Sequence, residues 1–188
     1  MKEFPEILQF VCSYLNENDI DYVVVGGVAV MYHGVPRTTV DINLILQIDD
    51  EKIPPFVEFL NSNRFSATTE DMRSALMEKS HCTVFFADSL LRLDIQGVNS
   101  KFDRMTLDRA ITVELFNTLF KLGTAEDTII NKILFQGEQD LRDALGILSR
   151  KQQQLDFSYI ESTCKQLNIL DMWKTFFKES TDKIKDGG

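Results

Sequence analysis

The chain has 188 residues, 44% hydrophobic and 26% charged, with a formal net charge of −9. Such a composition can bury a sizeable core and excludes a disordered chain, and at this length one domain with a helical extension is expected. The acidic balance repels polyanions and so argues against generic DNA binding, while a small anionic ligand can still be held where a few basic side chains and backbone amides converge.

Cys12, Cys82 and Cys164 are odd in number, far apart and not in a CxxC pair. That spacing argues against a disulfide framework and a zinc site, and for reduced thiols in a cytoplasm. The opening MKEFPEILQF lacks the basic region and apolar stretch of a secretory signal. The apolar run around Tyr22–Tyr32 is interrupted by glycines and falls short of the about 20 residues that span a bilayer. The expectation is a soluble, cytoplasmic chain with no membrane partner.

In chain order, Phe4, Ile7, Leu8, Val11, Tyr14 and Leu15 follow helical spacing, with Pro5 in the first turn and Asn16–Asp19 ending the helix. Tyr22–Val25 reads as a short buried strand, punctuated by Gly26-Gly27. Val28–His33 is a short helix, and Gly34 is placed to end it in a left-handed conformation. After a loop at Val35–Thr39, Val40–Ile48 is a second strand, on which Asp41 and Asn43 share a face. Asp49–Asn61 and Thr69–Lys79 are helices, the latter opened by the capping-like pair Thr69 and Glu70. Cys82–Ala87 and Leu90–Val98 are strands joined by a tight turn at Asp88-Ser89. In the second, Leu91, Leu93 and Ile95 point one way and Arg92, Asp94 and Gln96 the other.

A short helix near Asp103–Arg109 and a strand near Ile111–Leu115 follow. From Ala125 four apolar stripes mark helices: Ile129/Ile130/Ile133/Leu134, Leu141/Ala144/Leu145/Leu148, Phe157/Ile160/Cys164/Leu167 and Leu170/Trp173/Phe176/Phe177. Lys151–Gln154 is a polar connection, and Thr181–Gly188 reads as a frayed tail. The fold class is α/β (α+β): a mixed sheet flanked by helices over residues 1–122, followed by a helical C-terminal extension over 123–188 packed on that core.

The informative stretch is VVVGGVAVMYHGVPRTTVDINLIL, Val23–Leu46. Glycines let a backbone approach a ligand closely, and the returning strand presents Asp41 beside Asn43. A phosphate cradle next to oxygen ligands is what a magnesium–nucleotide site requires. The run resembles the signature of polymerase-β-like nucleotidyltransferases, with closer likeness to minimal nucleotidyltransferases and the abortive-infection AbiE-type toxin group. Gly26, Gly27, Ala29, His33, Gly34, Arg37, Thr39 and Asp41 match that group's pattern in order. Downstream, Asp94 in LRLDIQGV fits the third carboxylate, and Lys132, Asp140 and Asp143 fit its lysine and Asp-rich helix start. Asn43 departs from the pattern, which has a carboxylate there.

The resemblance implies a nucleotidyltransferase-like sheet and transfer of a nucleoside monophosphate from an NTP to an acceptor hydroxyl. It implies Mg2+ or Mn2+ on Asp41, Asn43 and Asp94, catalysis by Asp41 and Asp94, and nucleotide contacts from Gly26, Gly27, Arg37, Thr39 and Lys132. The acceptor, a protein, an RNA end or a small molecule, is unreadable. The alternative function is a weak or inactive nucleotide-binding or protein-interaction module within a toxin–antitoxin pair, and a homodimer or an antitoxin is the partner to look for. Several roles stay open from the residues themselves. Asp94 is a ligand or the ion-pair partner of Arg92 or Arg104. Arg37 contacts a phosphate or clamps Asp41 or a loop carboxylate. Lys132 is a triphosphate contact or a snorkelling surface lysine, and Asp140 and Asp143 read as solvated helix residues. His33 suits a helix C-terminus, and Trp173 a core or dimer contact.

Overall fold

Apolar residues at helical spacing, with Pro5 in the first turn where a missing N–H costs nothing, build α1 (Phe4–Glu17), which buries Ile7, Leu8, Val11, Cys12 and Leu15. After it come β1 (Asp21–Val25), α2 (Gly27–His33), β2 (Asp41–Gln47), a single 3-10 turn at Asp50–Lys52, α3 (Ile53–Ser62), the short β3 (Phe65–Ser66) and α4 (Thr69–Met77). Next are β4 (His81–Phe86), β5 (Arg92–Gly97), α5 (Lys101–Asp108), β6 (Ile111–Leu115) and β7 (Thr118–Leu122). The rest is helical: α6 (Ala125–Phe135), α7 (Glu138–Lys151), α8 (Phe157–Gln166) and α9 (Leu170–Asp186). This computed structural model describes residues 4–87, 89–115 and 117–186. Two units emerge: residues up to 28 with 38–123, and 29–37 with 124–188.

The first unit holds a mixed sheet in the order β3-β4-β5-β2-β1-β7-β6. β1/β7 and β2/β5 pair parallel, and the other neighbours antiparallel. The fold is thus the mixed α/β architecture that the sequence predicts. Period-two alternation sorts the strands' faces: β5 buries Leu93 and Ile95 and turns Arg92, Asp94 and Gln96 the other way. α1 and α3 are joined by Tyr14 stacking on Phe56 and Phe59. α4 packs on the Leu93/Ile95 side, where Leu76 meets Gly97. On the opposite face α5 is held by a Ser100/Asp103 capping box and brings Leu107 onto Val23 and Ile45. Asp41 and Asn43 share the face of Ile45, and their register partners on β5 are Arg92 and Asp94.

In the second unit Thr124 caps α6 by accepting from the Asp127 N–H, and the buried Asp127 carboxylate takes hydrogen bonds from Thr124 Oγ1 and Tyr159 Oη. Trp173 is 1% exposed and packs among the half-buried Phe157, Phe176 and Phe177, so of this aromatic set Trp173 is the core member.

Several expectations are corrected. Gly34 is not left-handed; among the described residues the positive-φ glycine is Gly26, at 65°. Gly34 is needed for a different reason: a Cβ there would lie 2.8 Å from Ile147 Cγ1 and 3.1 Å from the Ile147 backbone nitrogen. The cap of α4 is Thr68, whose hydroxyl accepts from the Asp71 N–H, one residue before the pair read from sequence. Of the expected tail, 181–186 is helical, as the end of α9, and Gly187 and Gly188 lie outside the described residues. Leu134 and Leu141 are exposed members of their stripes, and Asp143, Ala144, Ile147 and Leu148 form the buried face of α7. β3 and β7 escaped the sequence reading. Ser89 donates its hydroxyl to the Phe86 carbonyl in the β4–β5 turn, whose other expected residue, Asp88, lies outside the described residues. No helix among the described residues is long and apolar enough to cross a membrane.

Candidate active site

Three strands of the first unit build the acidic cluster. Along β2, Asp41 and Asn43 are two residues apart and share a face; across the parallel β2/β5 ladder Asn43 is the register partner of Asp94. On its other side Asn43 is paired with Val25, the last residue of β1. The chain then turns at Gly26 with φ 65°, where a Cβ would stand 2.7 Å from Asn43 Nδ2. At Gly27 a Cβ would meet Thr39 Oγ1 at 2.6 Å. The Gly-Gly pair therefore has a structural cause: each glycine leaves the room that a polar side chain of the cluster fills.

Every carboxylate oxygen of the cluster is oriented. Thr39 Oγ1 donates to Asp41 Oδ1, and Asn43 Nδ2 donates to Asp41 Oδ2 at 3.2 Å. Thr83 on β4, the register partner of Asp94, donates to Asp94 Oδ1 at 2.6 Å. Arg92 Nε donates to Asp94 Oδ2 at 3.2 Å, and its Nη2 lies 3.8 Å from Asp41 Oδ2. Burial pushes the Asp41 carboxyl up, but hydrogen bonds from Thr39 and Asn43 and the Arg92 charge outweigh it, so Asp41 titrates below its ordinary range.

Carboxylate oxygens and an amide oxygen are hard donors suited to Mg2+ or Mn2+. Among the described residues no group of three or more His, Cys, Asp or Glu side chains could hold a metal ion. The donor set stops at Asp41, Asp94 and the Asn43 amide. A magnesium-type ion can take one or two carboxylates from a protein and complete its shell with water and phosphate oxygens.

The other candidates gather in the second unit. Arg37 grips Asp143 bidentately, Nε to Oδ1 and Nη2 to Oδ2, both at 3.0 Å. Of the two roles open to Arg37, the clamp is the one seen, and the carboxylate is Asp143 rather than Asp41. Lys132 Nζ lies 2.7 Å from Asp140 and 3.3 Å from Asp143, and with its side chain 12% exposed it is no snorkelling surface lysine. Asp143 is 3% exposed at its side chain, which corrects the reading of it as a solvated residue. Burial raises its pKa, yet hydrogen bonds from Arg37 and Gln139 and the Lys132 charge hold it below the usual carboxylate range. His33 is buried as the last residue of α2.

The sequence reading missed Thr83 as the residue that orients Asp94, and took Arg92 only as the partner of Asp94. The polar alternation of β4 was a signal for Thr83, but its alignment with Asp94 needs the strand register.

The family described as nucleotidyltransferase of unknown function (DUF6036) matches over residues 2–175. No curated protein matches by sequence. Among solved structures, an antigenic nucleotidyltransferase-like protein from Paracoccidioides brasiliensis is similar at 18% identity and a TM-score of 0.55, over 77% of this chain and 74% of that one. ANT(2″)-Ia in complex with adenylyl-2″-tobramycin is similar at 12% identity and a TM-score of 0.50, over 93% and 97% of the two chains. At these identities the likeness concerns the fold.

Proposed function

The chain belongs to the DUF6036 family of nucleotidyltransferases, and on that footing we propose that it moves a nucleoside monophosphate from an NTP to an acceptor hydroxyl, in a divalent-metal-dependent reaction centred on Asp41 and Asp94. The observation that carries the reading is the Asp41–Asn43–Asp94 cluster, aligned by the β2/β5 register and backed by Gly26. Asp41 and Asp94, with Asn43, would hold Mg2+ or Mn2+, which when bound neutralises triphosphate charge and polarises the reacting phosphoryl group. The NTP phosphates lie at the backbone of Gly26 and Gly27, which carry no side chain of their own.

Asp94 accepts the acceptor hydroxyl's proton as its oxygen attacks the α-phosphorus; the new P–O bond forms in line as the bond to pyrophosphate breaks. Thr83 steers Asp94 for this by occupying one of its oxygens. Thr39 does the same for Asp41. Arg37 and Lys132 already hold Asp143, so in this proposal they steady α7 on the 29–37 segment.

Purified protein incubated with each α-labelled NTP and Mg2+ or Mn2+, alone and with cell extract as acceptor source, tests the reading. Pyrophosphate release with label on an acceptor, lost in both Asp41→Ala and Asp94→Ala, is expected. Release that persists in both variants refutes it.

The amide at Asn43 favours one second reading, in which the likeness to the AbiE-type group reflects a nucleotide-binding or protein-interaction module of a toxin–antitoxin pair. Its test is growth on induced expression with and without the neighbouring gene. Toxicity that survives Asp41→Ala and is relieved by that gene supports it.

A further inference from the structure

Arg92 is the only cation that the structure puts against both carboxylates of the cluster among the described residues. Its guanidinium lies 3.2 Å from Asp94 Oδ2 and 3.8 Å from Asp41 Oδ2, so one planar group touches both side chains assigned to the metal. Asp41 Oδ2 also takes the Asn43 amide N–H, which turns the amide's nitrogen rather than its oxygen toward Asp41. Every carboxylate oxygen thus has an internal partner: Thr39 and Thr83 serve the two Oδ1 atoms, Arg92 faces both Oδ2 atoms, and Asn43 adds a second donor to Asp41 Oδ2. A site arranged to receive a divalent ion by itself would keep its carboxylates free of an internal cation, because like charges compete for the same oxygens.

We propose that Arg92 is the resident cation of this site: it competes with the divalent ion for Asp41 and Asp94, and leaves them for the phosphates when metal and nucleotide arrive together. The inference rests on the proposed function and adds its regulation. Alone, a divalent ion has to displace the guanidinium into water. With an NTP present, the displaced guanidinium gains a bidentate phosphate partner, for which its fork is suited. Arg92 has the freedom for this exchange, since about a third of its side chain is exposed. Metal and nucleotide then bind with positive coupling, and reciprocity requires each to tighten the other. The free cluster is thereby kept from taking up divalent ions when no substrate is present.

The test is binding of Mn2+ alone, followed by electron paramagnetic resonance of the free ion, in wild type, Arg92→Gln, Arg92→Lys, Asp41→Asn and the Arg92→Gln/Asp41→Asn double variant. None of these measurements needs turnover. Arg92→Gln is expected to bind Mn2+ about tenfold more tightly than wild type, and the double variant to lose that gain. Arg92→Lys, which keeps the charge but cannot span two carboxylates, falls between the two and replaces Arg92→Gln if circular dichroism shows the latter unfolded. Equal or weaker Mn2+ binding in folded Arg92→Gln and Arg92→Lys, with Asp41→Asn still weakening it, overturns the role of Arg92 while leaving the metal site standing. Mn2+ binding indifferent to Asp41→Asn in every background overturns the metal assignment itself, and this inference with it.

Discussion

Asn43→Asp places a carboxylate beside Asp41, and its cost without metal can be worked out from the cluster. Asn43 Nδ2 now donates to Asp41 Oδ2 at 3.2 Å. The aspartate places an anionic oxygen at that contact, where two unit charges about 4 Å apart repel by about 1 kcal/mol in water and about 4 kcal/mol at a partly shielded surface. The Asp41 side chain is 28% exposed, which puts the pair between these limits. Loss of a hydrogen bond to a charged acceptor adds to this, and the neighbouring Arg92 offsets part of it. A net loss of about 2 kcal/mol is expected, or roughly 4–8 °C in melting temperature for a chain of this size.

Mn2+ should reverse the sign, because an ion shared by two carboxylates relieves their repulsion and binds the folded state alone; saturation at about 100 times Kd contributes about 2.7 kcal/mol. The assay is thermal melting with and without excess Mn2+, paired with pyrophosphate release, which should rise about tenfold if about 1.4 kcal/mol of barrier is removed. Asp41→Ala in the same background should abolish both gains. An Asn43→Asp protein that melts like wild type without metal, and is unmoved by Mn2+, refutes the placement of Asn43 in the ligand set.

Asp143→Asn leaves Arg37 and Lys132 facing a neutral amide. Breaking a buried pair costs about 3–5 kcal/mol, and with Arg37 about a third exposed we expect about 2–3 kcal/mol in urea melts at pH 7. Because the folded-state pKa of Asp143 is depressed below its ordinary 3.8, its contribution is complete above that value and is lost as pH falls through the lower folded value. The gap between wild type and variant should therefore close in acid, and a gap that stays constant down to strong acid contradicts the assignment. Gly26→Ala forces a left-handed alanine, costing about 1–2 kcal/mol, and drives a methyl toward Asn43 Nδ2; calorimetry should show weakened Mn2+ binding with the fold retained. Gly34→Ala, pressed against the Ile147 backbone at 3.1 Å, should lower stability by about 1–3 kcal/mol, read by thermal melting, with Mn2+ affinity unchanged.

Local spacing carries the parts of this protein that are local. Helical periodicity placed α1 and the helices from Ala125 onward, because a 3.6-residue repeat of apolar side chains is written within one segment. Period-two alternation put Asp41 with Asn43 and Arg92 with Asp94 for the same reason, so the main residues of the acidic cluster were legible before any fold was known. The two-residue β3 was not, since two residues carry no period; the five residues of β7 alternate, but the strand was missed, and the pairing partners of β3 and β7 are fixed only by the fold. Nor could spacing reveal that Asp143, polar and near a helix start, is buried under Arg37 from 106 residues away. A buried carboxylate and a solvated one look alike in sequence; the difference is which distant cation meets it. The glycines divide the same way. Gly26-Gly27 was marked by its motif, but that one gives way to Asn43, the other to Thr39, and Gly34 to Ile147 depends on side chains that the fold alone brings within van der Waals contact.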